Sequence, residues 1–113
     1  MCSQPQLERI IQELIQAVET ICGARLCEAI LFGSYARQDA DDESDIDVML
    51  LMDIPREELV QYRRALAEIA GALLCEHHIV VSPVMENADF FARNKALYPF
   101  FRNIDREGVR YAA

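Results

Sequence analysis

Apolar and polar positions along the chain fall into stretches with two different periods. From Pro5 to Cys22, the residues Leu7, Ile10, Ile11, Leu14, Ile15, Val18 and Ile21 recur three and four apart. That spacing predicts an amphipathic helix with one apolar stripe. Ser3 stands where a cap is needed, and Gly23 suits a left-handed stop. Leu26 to Phe32 and Val48 to Met52 are short apolar runs that predict two buried strands. Helical spacing returns after Pro55, where Leu59, Tyr62, Leu66, Ile69 and Leu73 share a face. Arg56, Arg63, Arg64 and Glu68 lie opposite and read as a solvated face. Glu76 to Ser82 reads as a third strand, ended by Pro83. Helices are expected near Ala88 to Lys95 and from about Pro99 to Glu107, with Gly108 as the stop. Val109 to Tyr111 is either a short edge strand or a packed tail. The order α, β, β, α, β, α, α predicts an α+β fold: a small mixed or antiparallel sheet with helices packed mainly on one face. The short connection after Phe32 suits antiparallel pairing of the first two strands.

Composition narrows the function classes. A chain of 113 residues suits one domain, 1–113, with one core. Hydrophobic residues make up 52%, too many for disorder. The net charge is −8, so direct nucleic-acid binding is not expected, because phosphate neutralisation needs Lys and Arg. No apolar run has the length of a membrane span, so no membrane partner is expected. Cys2, Cys22, Cys27 and Cys75 form no C-x-x-C pair, and no secretory signal precedes them. Reduced thiols in a cytoplasmic protein are the expectation.

Candidate chemistry concentrates between the two apolar runs, in GSYARQDADDESDID, Gly33 to Asp47. Asp39, Asp41, Asp42 and Glu43 read as a solvated acidic loop. Asp45 and Asp47 differ because a strand follows them at once. Alternate strand residues share a face, so these two carboxylates project together while Ile46 turns toward the core. Two ionised carboxylates roughly 6 Å apart repel by about 3 kcal/mol at an effective dielectric near 20. A hard divalent cation relieves that repulsion, and Mg²⁺ is typically held by one or two carboxylates plus substrate phosphates. Gly33, lacking a Cβ, admits a phosphate close to the backbone. Ser34 can open a short helix over Tyr35 to Gln38 whose free amides face an anion. Arg37, one turn on, carries a planar fork suited to a triphosphate oxygen or to a salt bridge with Asp39, Asp41 or Asp42. Tyr35 reads as packing, and Tyr98, Phe100 and Phe101 as core or partner contacts.

This stretch resembles the signature of the nucleotidyltransferase superfamily related to DNA polymerase beta: Gly-Ser, a spacer, then Asp-x-Asp. Its minimal single-domain group, with the run G-S-Y-A-R-x-D-A-x-x-x-S-D-I-D, looks similar over what is expected to be the whole chain. The resemblance implies a nucleotidyltransferase that moves a nucleoside monophosphate, AMP from ATP, onto an acceptor. It implies Gly33, Ser34 and Arg37 as nucleotide-binding residues. Asp45 and Asp47 would hold two Mg²⁺ ions, with Mn²⁺ as a substitute. The implied partner is a small helical HEPN-domain toxin, to which the chain is the antitoxin. An alternative is a catalytically weak nucleotide-binding antitoxin that neutralises its partner by occupying its surface.

Active members of this superfamily usually carry a third Asp or Glu on the next strand, facing the pair. Here that strand is read as EHHIVVSP. Glu76 and His78 share a strand face by parity. Three readings are open: Glu76 fills the role, His78 replaces it as a neutral imidazole base, or the group is absent and activity is reduced.

Overall fold

The computed structural model describes residues 1–112. Helix α1 spans Gln4–Cys22, with Ser3 Oγ accepting from the Gln6 amide at 3.3 Å. Leu7, Ile10, Ile11, Leu14, Ile15 and Val18 are buried as the stripe requires. Ile21 departs from expectation and is 43% exposed, while Cys22 in the same turn is buried. After a 3₁₀ turn at Gly23–Arg25 come β1, Leu26–Phe32, the one-turn helix α2, Ser34–Arg37, and β2, Ile46–Met52. β1 and β2 pair antiparallel, with Phe32 opposite Asp47.

The segment after Pro55 starts as a 3₁₀ helix, Arg56–Tyr62, and becomes α3, Arg63–His77. Here the structure corrects the expected third strand. Glu76 and His77 belong to the last turn of α3, and His78 stops it in the left-handed conformation, φ 57°, with its amide donating to the Leu74 carbonyl. β3 is Val81–Asn87, parallel to β2. Pro83 sits inside β3 and does not end it. The sheet order is β3-β2-β1-β4, so β3 is an edge strand, where a missing N–H costs no ladder bond.

Helices α4, Ala88–Asn94, and α5, Pro99–Glu107, follow. β4, Val109–Ala112, pairs antiparallel with β1, so the tail is an edge strand. Gly108 makes that return possible: a Cβ there would strike the Ile30 side chain and the Ile104 carbonyl.

Strand alternation divides the core in two. Ile46, Val48, Leu50 and Met52 face α1 and α3. Met49 and Leu51 face α4 and α5, with Ile30, Phe91, Phe101 and Ile104. The two longer helices thus cover one face of a mixed four-stranded sheet, and the shorter pair covers the other. Burying a single Ile or Leu such as Ile10 or Leu14 stabilises the fold by about 1.5–3 kcal/mol.

Candidate active site at the end of the first two strands

Asp47 has the parity of Met49 and Leu51, so its side chain rises from the α4/α5 face at the start of β2. Ile46 is fully buried on the opposite face, as alternation demands. Asp45 is exposed and immediately precedes the strand. The two carboxylates are near enough to interact. Burial, and then the charge of Asp45, push the Asp47 carboxyl above its ordinary range, while Arg37 opposes them. A corner that penalises the second negative charge is one a divalent cation would relieve. The donor set fits Mg²⁺ or Mn²⁺, and Asp45 and Asp47 are the residues able to hold it.

Gly33 closes the corner. It adopts φ 75°, and a Cβ built on it would lie 2.5 Å from Asp47 Oδ2. Absence of a side chain at residue 33 therefore leaves room for the carboxylate itself. Gly33 also caps α2: its carbonyl accepts from the Arg37 amide at 3.1 Å. The amides of Ser34, Tyr35 and Ala36 precede that first bond and have no partner inside the helix. Gln38 ends the turn with φ 63°. Tyr35 is buried against the α1 side of the core, in the packing role expected of it.

Arg37 lies across the corner. Its Nε is 3.3 Å from Asp39, and its guanidinium is 3.7 Å from Glu107 of α5. The Asp39 contact matches one of the salt bridges read from sequence; the Glu107 contact does not follow from any local pattern. In the acidic loop, Asp41 Oδ1 accepts from the Glu43 amide and from Ser44 Oγ, so this residue builds the turn as well as charging it.

The structure separates Glu76 and His78 from this corner. Both lie at the C-terminus of α3, on the other side of the sheet from Asp47. Glu76 joins Glu13 and His77, the three offering ligand atoms within 4.8 Å of one another. His77 Nε2 lies 2.9 Å from Glu13 and ties α3 to α1. His78 borders a small cavity with Cys2, Asp42 and Ile79. The residue beside Asp47 on the next strand is Ser82, its parallel register partner. A strand begun at Glu76 puts the facing position near His78; because α3 runs on to His77, the strand begins at Val81 and Ser82 takes that position. Ser82, which is the β3 residue beside Asp47, carries no carboxylate.

One carboxylate of β3 is buried, Glu86, and it too was missed. It shares the face of Ser82 but stands four residues further on, about 13 Å away along the strand. Arg56 donates to it at 3.0 and 3.3 Å, and the Asn87 amide at 2.8 Å. Arg56 also stacks 3.7 Å above the Phe90 ring, so it is not part of a purely solvated face. A groove of about 530 Å³ runs between this region and the 3₁₀ segment and shares no residue with the Gly33 corner. Among the described residues Cys22 is buried, Cys27 and Cys75 are exposed, and all four cysteines are free thiols.

A Gly-capped turn thus stands against an Asp-x-Asp pair on a mixed four-stranded sheet. Residues 11–109 match the family "Polymerase beta, Nucleotidyltransferase". The chain belongs to that family and is a minimal nucleotidyltransferase. It is 31% identical, over 89% of its length and 93% of the relative's, to a protein of Methanocaldococcus jannaschii named "putative protein adenylyltransferase". A second protein of that organism with the same designation is 35% identical over 71% of this chain and 79% of its own. No helix among the described residues is long and apolar enough to cross a membrane.

Proposed function

We propose that this single domain transfers AMP from ATP to a hydroxyl of a partner protein. The observation that carries the reading is the Asp47 carboxylate lodged against Gly33 with Asp45 beside it. The designations of the relatives support a protein acceptor.

The Gly33 backbone, Ser34 and the free α2 amides hold the outer phosphates, and Arg37 exchanges a carboxylate partner for a phosphate oxygen. Asp45 and Asp47 would hold Mg²⁺, which supplies charge neutralisation at the entering and leaving oxygens. The acceptor oxygen forms a bond to the α-phosphorus as the bond to the bridging oxygen breaks, and pyrophosphate leaves. Ser82 is neutral and cannot take the acceptor proton at neutral pH, so that proton passes to solvent. Rate enhancement then rests on positioning and electrostatics without a side-chain base.

Ser82 also supports a second reading, in which the chain binds nucleotide but acts mainly by masking its partner. The partner implied by resemblance is a small helical HEPN-domain toxin. The test is incubation with α-labelled ATP, Mg²⁺ and that partner. Label on the partner, lost in Asp45→Asn/Asp47→Asn, supports transfer. Stable complex formation with no label supports masking.

A further inference from the structure

The corner opens into a cleft of about 320 Å³ between the end of β1 and helix α5. Gly33 and Arg37 form one wall, shared with the proposed phosphate site. Phe100, Asn103, Ile104 and Glu107 form the other. These four recur three and four apart, so one stripe of α5 is aimed into the cleft. The volume lies in the range of small-ligand pockets, about 300–1,000 Å³.

The aromatic residues of this region divide. Phe101 is 6% exposed and packs on Phe90, Phe91 and Tyr98. Phe100 is 51% exposed and meets Phe32 only edge-on, with centroids 5.7 Å apart and planes at 86°. Edge contact with Phe32 steadies the Phe100 ring while leaving it accessible to a ligand. Asn103 Oδ1 accepts from Arg106 at 3.2 Å, which leaves its Nδ2 donor for a ligand acceptor. Glu107 charges the far rim negatively, so the cleft suits a neutral ring and disfavours a second phosphate.

We infer that this cleft is the nucleobase slot, in which the base of the bound nucleotide stacks on Phe100 and is reached by Asn103. The inference rests on the phosphate reading of the Gly33 corner. It goes beyond that reading by assigning the base to α5 and to the residue that sequence alone placed among core or partner contacts. Base–aromatic stacking accounts for about 5- to 150-fold in affinity per base.

The experiment compares Mg²⁺–ATP with Mg²⁺–tripolyphosphate, which carries the phosphates and no base. Both are titrated by calorimetry into the parent chain, Phe100→Ala and Phe100→Trp. The chain has no tryptophan, so Phe100→Trp introduces a single, selectively excitable indole at the slot. The expected result has three parts: Phe100→Ala binds ATP about 10-fold or more weakly, it keeps parental affinity for tripolyphosphate, and ATP but not tripolyphosphate quenches Trp emission in Phe100→Trp. Unchanged tripolyphosphate binding also shows that Phe100→Ala is folded. Parental ATP affinity in Phe100→Ala, or a Trp signal indifferent to ATP, overturns the slot while leaving the phosphate site standing. A parent chain that binds neither ligand overturns both.

Discussion

Gly33 and Asp47 compete for one volume: the position of a Cβ on residue 33 is 2.5 Å from the Asp47 carboxylate oxygen. Two independent constraints therefore fall on Gly33, the contact with Asp47 and its φ of 75°. Gly33→Val violates both. It should lower stability by about 1–3 kcal/mol, the usual cost of a strained non-glycine conformation, and displace the Asp47 side chain. Thermal unfolding checks the first effect. Circular dichroism at a temperature where the variant is folded, followed by Mg²⁺–ATP titration, checks the second. A folded variant that binds Mg²⁺–ATP as the parent does would remove Gly33 from the site.

Asp47 has a pH signature. Its folded pKa is raised by burial and by Asp45. The folded state therefore holds this proton more tightly than the unfolded state, and its contribution to stability falls as pH rises from the unfolded value, 3.8, through the folded one. At neutral pH, in EDTA, Asp47→Asn should melt above the parent. That advantage should disappear as pH drops below the unfolded value. A variant less stable than the parent at pH 7 in EDTA would show that ionised Asp47 is held by favourable partners.

Mass action supplies a third test. A ligand bound only by the folded state adds about 2.7 kcal/mol at 100 times its Kd. Saturating Mg²⁺–ATP should raise the melting temperature of the parent. Asp45→Asn/Asp47→Asn should show almost no rise, because the carboxylates that would hold the metal are gone. An equal rise in both proteins would sink the metal assignment.

Ser82 marks where a carboxylate would matter. Ser82→Asp places a third acid beside Asp47 on the adjoining strand. In EDTA it should destabilise the chain by like-charge repulsion. With divalent ions it should tighten Mn²⁺ binding, read by electron paramagnetic resonance. Label transfer should rise about 10-fold or more, the low end for gaining a general base being about 10²-fold when geometry is ideal. Glu76→Gln and His78→Gln, in contrast, should leave transfer within about twofold of the parent, because α3 covers the sheet face opposite to the one from which Asp47 rises. A hundredfold loss in either would contradict that placement.

Glu86 makes a prediction about stability alone. Its side chain is 9% exposed and accepts from Arg56 and the Asn87 amide. Glu86→Ala should cost about 2 kcal/mol, less than a fully buried pair because Arg56 is half-exposed. Chemical denaturation measures it, and a neutral result would mean that solvent replaces all three bonds.

Local pattern alone determined much of this protein. Helix α1, strands β1 and β2, and the placing of Asp47 on the face opposite Ile46 follow from periods of 3.6 and 2.0, which depend only on backbone geometry. The Gly33 turn was legible because a glycine at the end of an apolar run marks a backbone position of positive φ, here 75°. What failed was the boundary between α3 and β3. Glu76 to Val80 fits a strand by composition, yet α3 runs on to His77, held by packing on α1 and by the Glu13–His77 contact, and His78 supplies the stop. Pro83 reads as a strand terminator unless the strand is known to lie at an edge, and edge position is a property of the assembled sheet. Tertiary structure alone therefore decided that Ser82 faces Asp47, that Glu86 pairs with Arg56, and that Phe100 opens onto the Gly33 cleft. Each of these contacts joins residues far apart in the chain, and their pairing is set by strand register and helix docking, which no local period encodes.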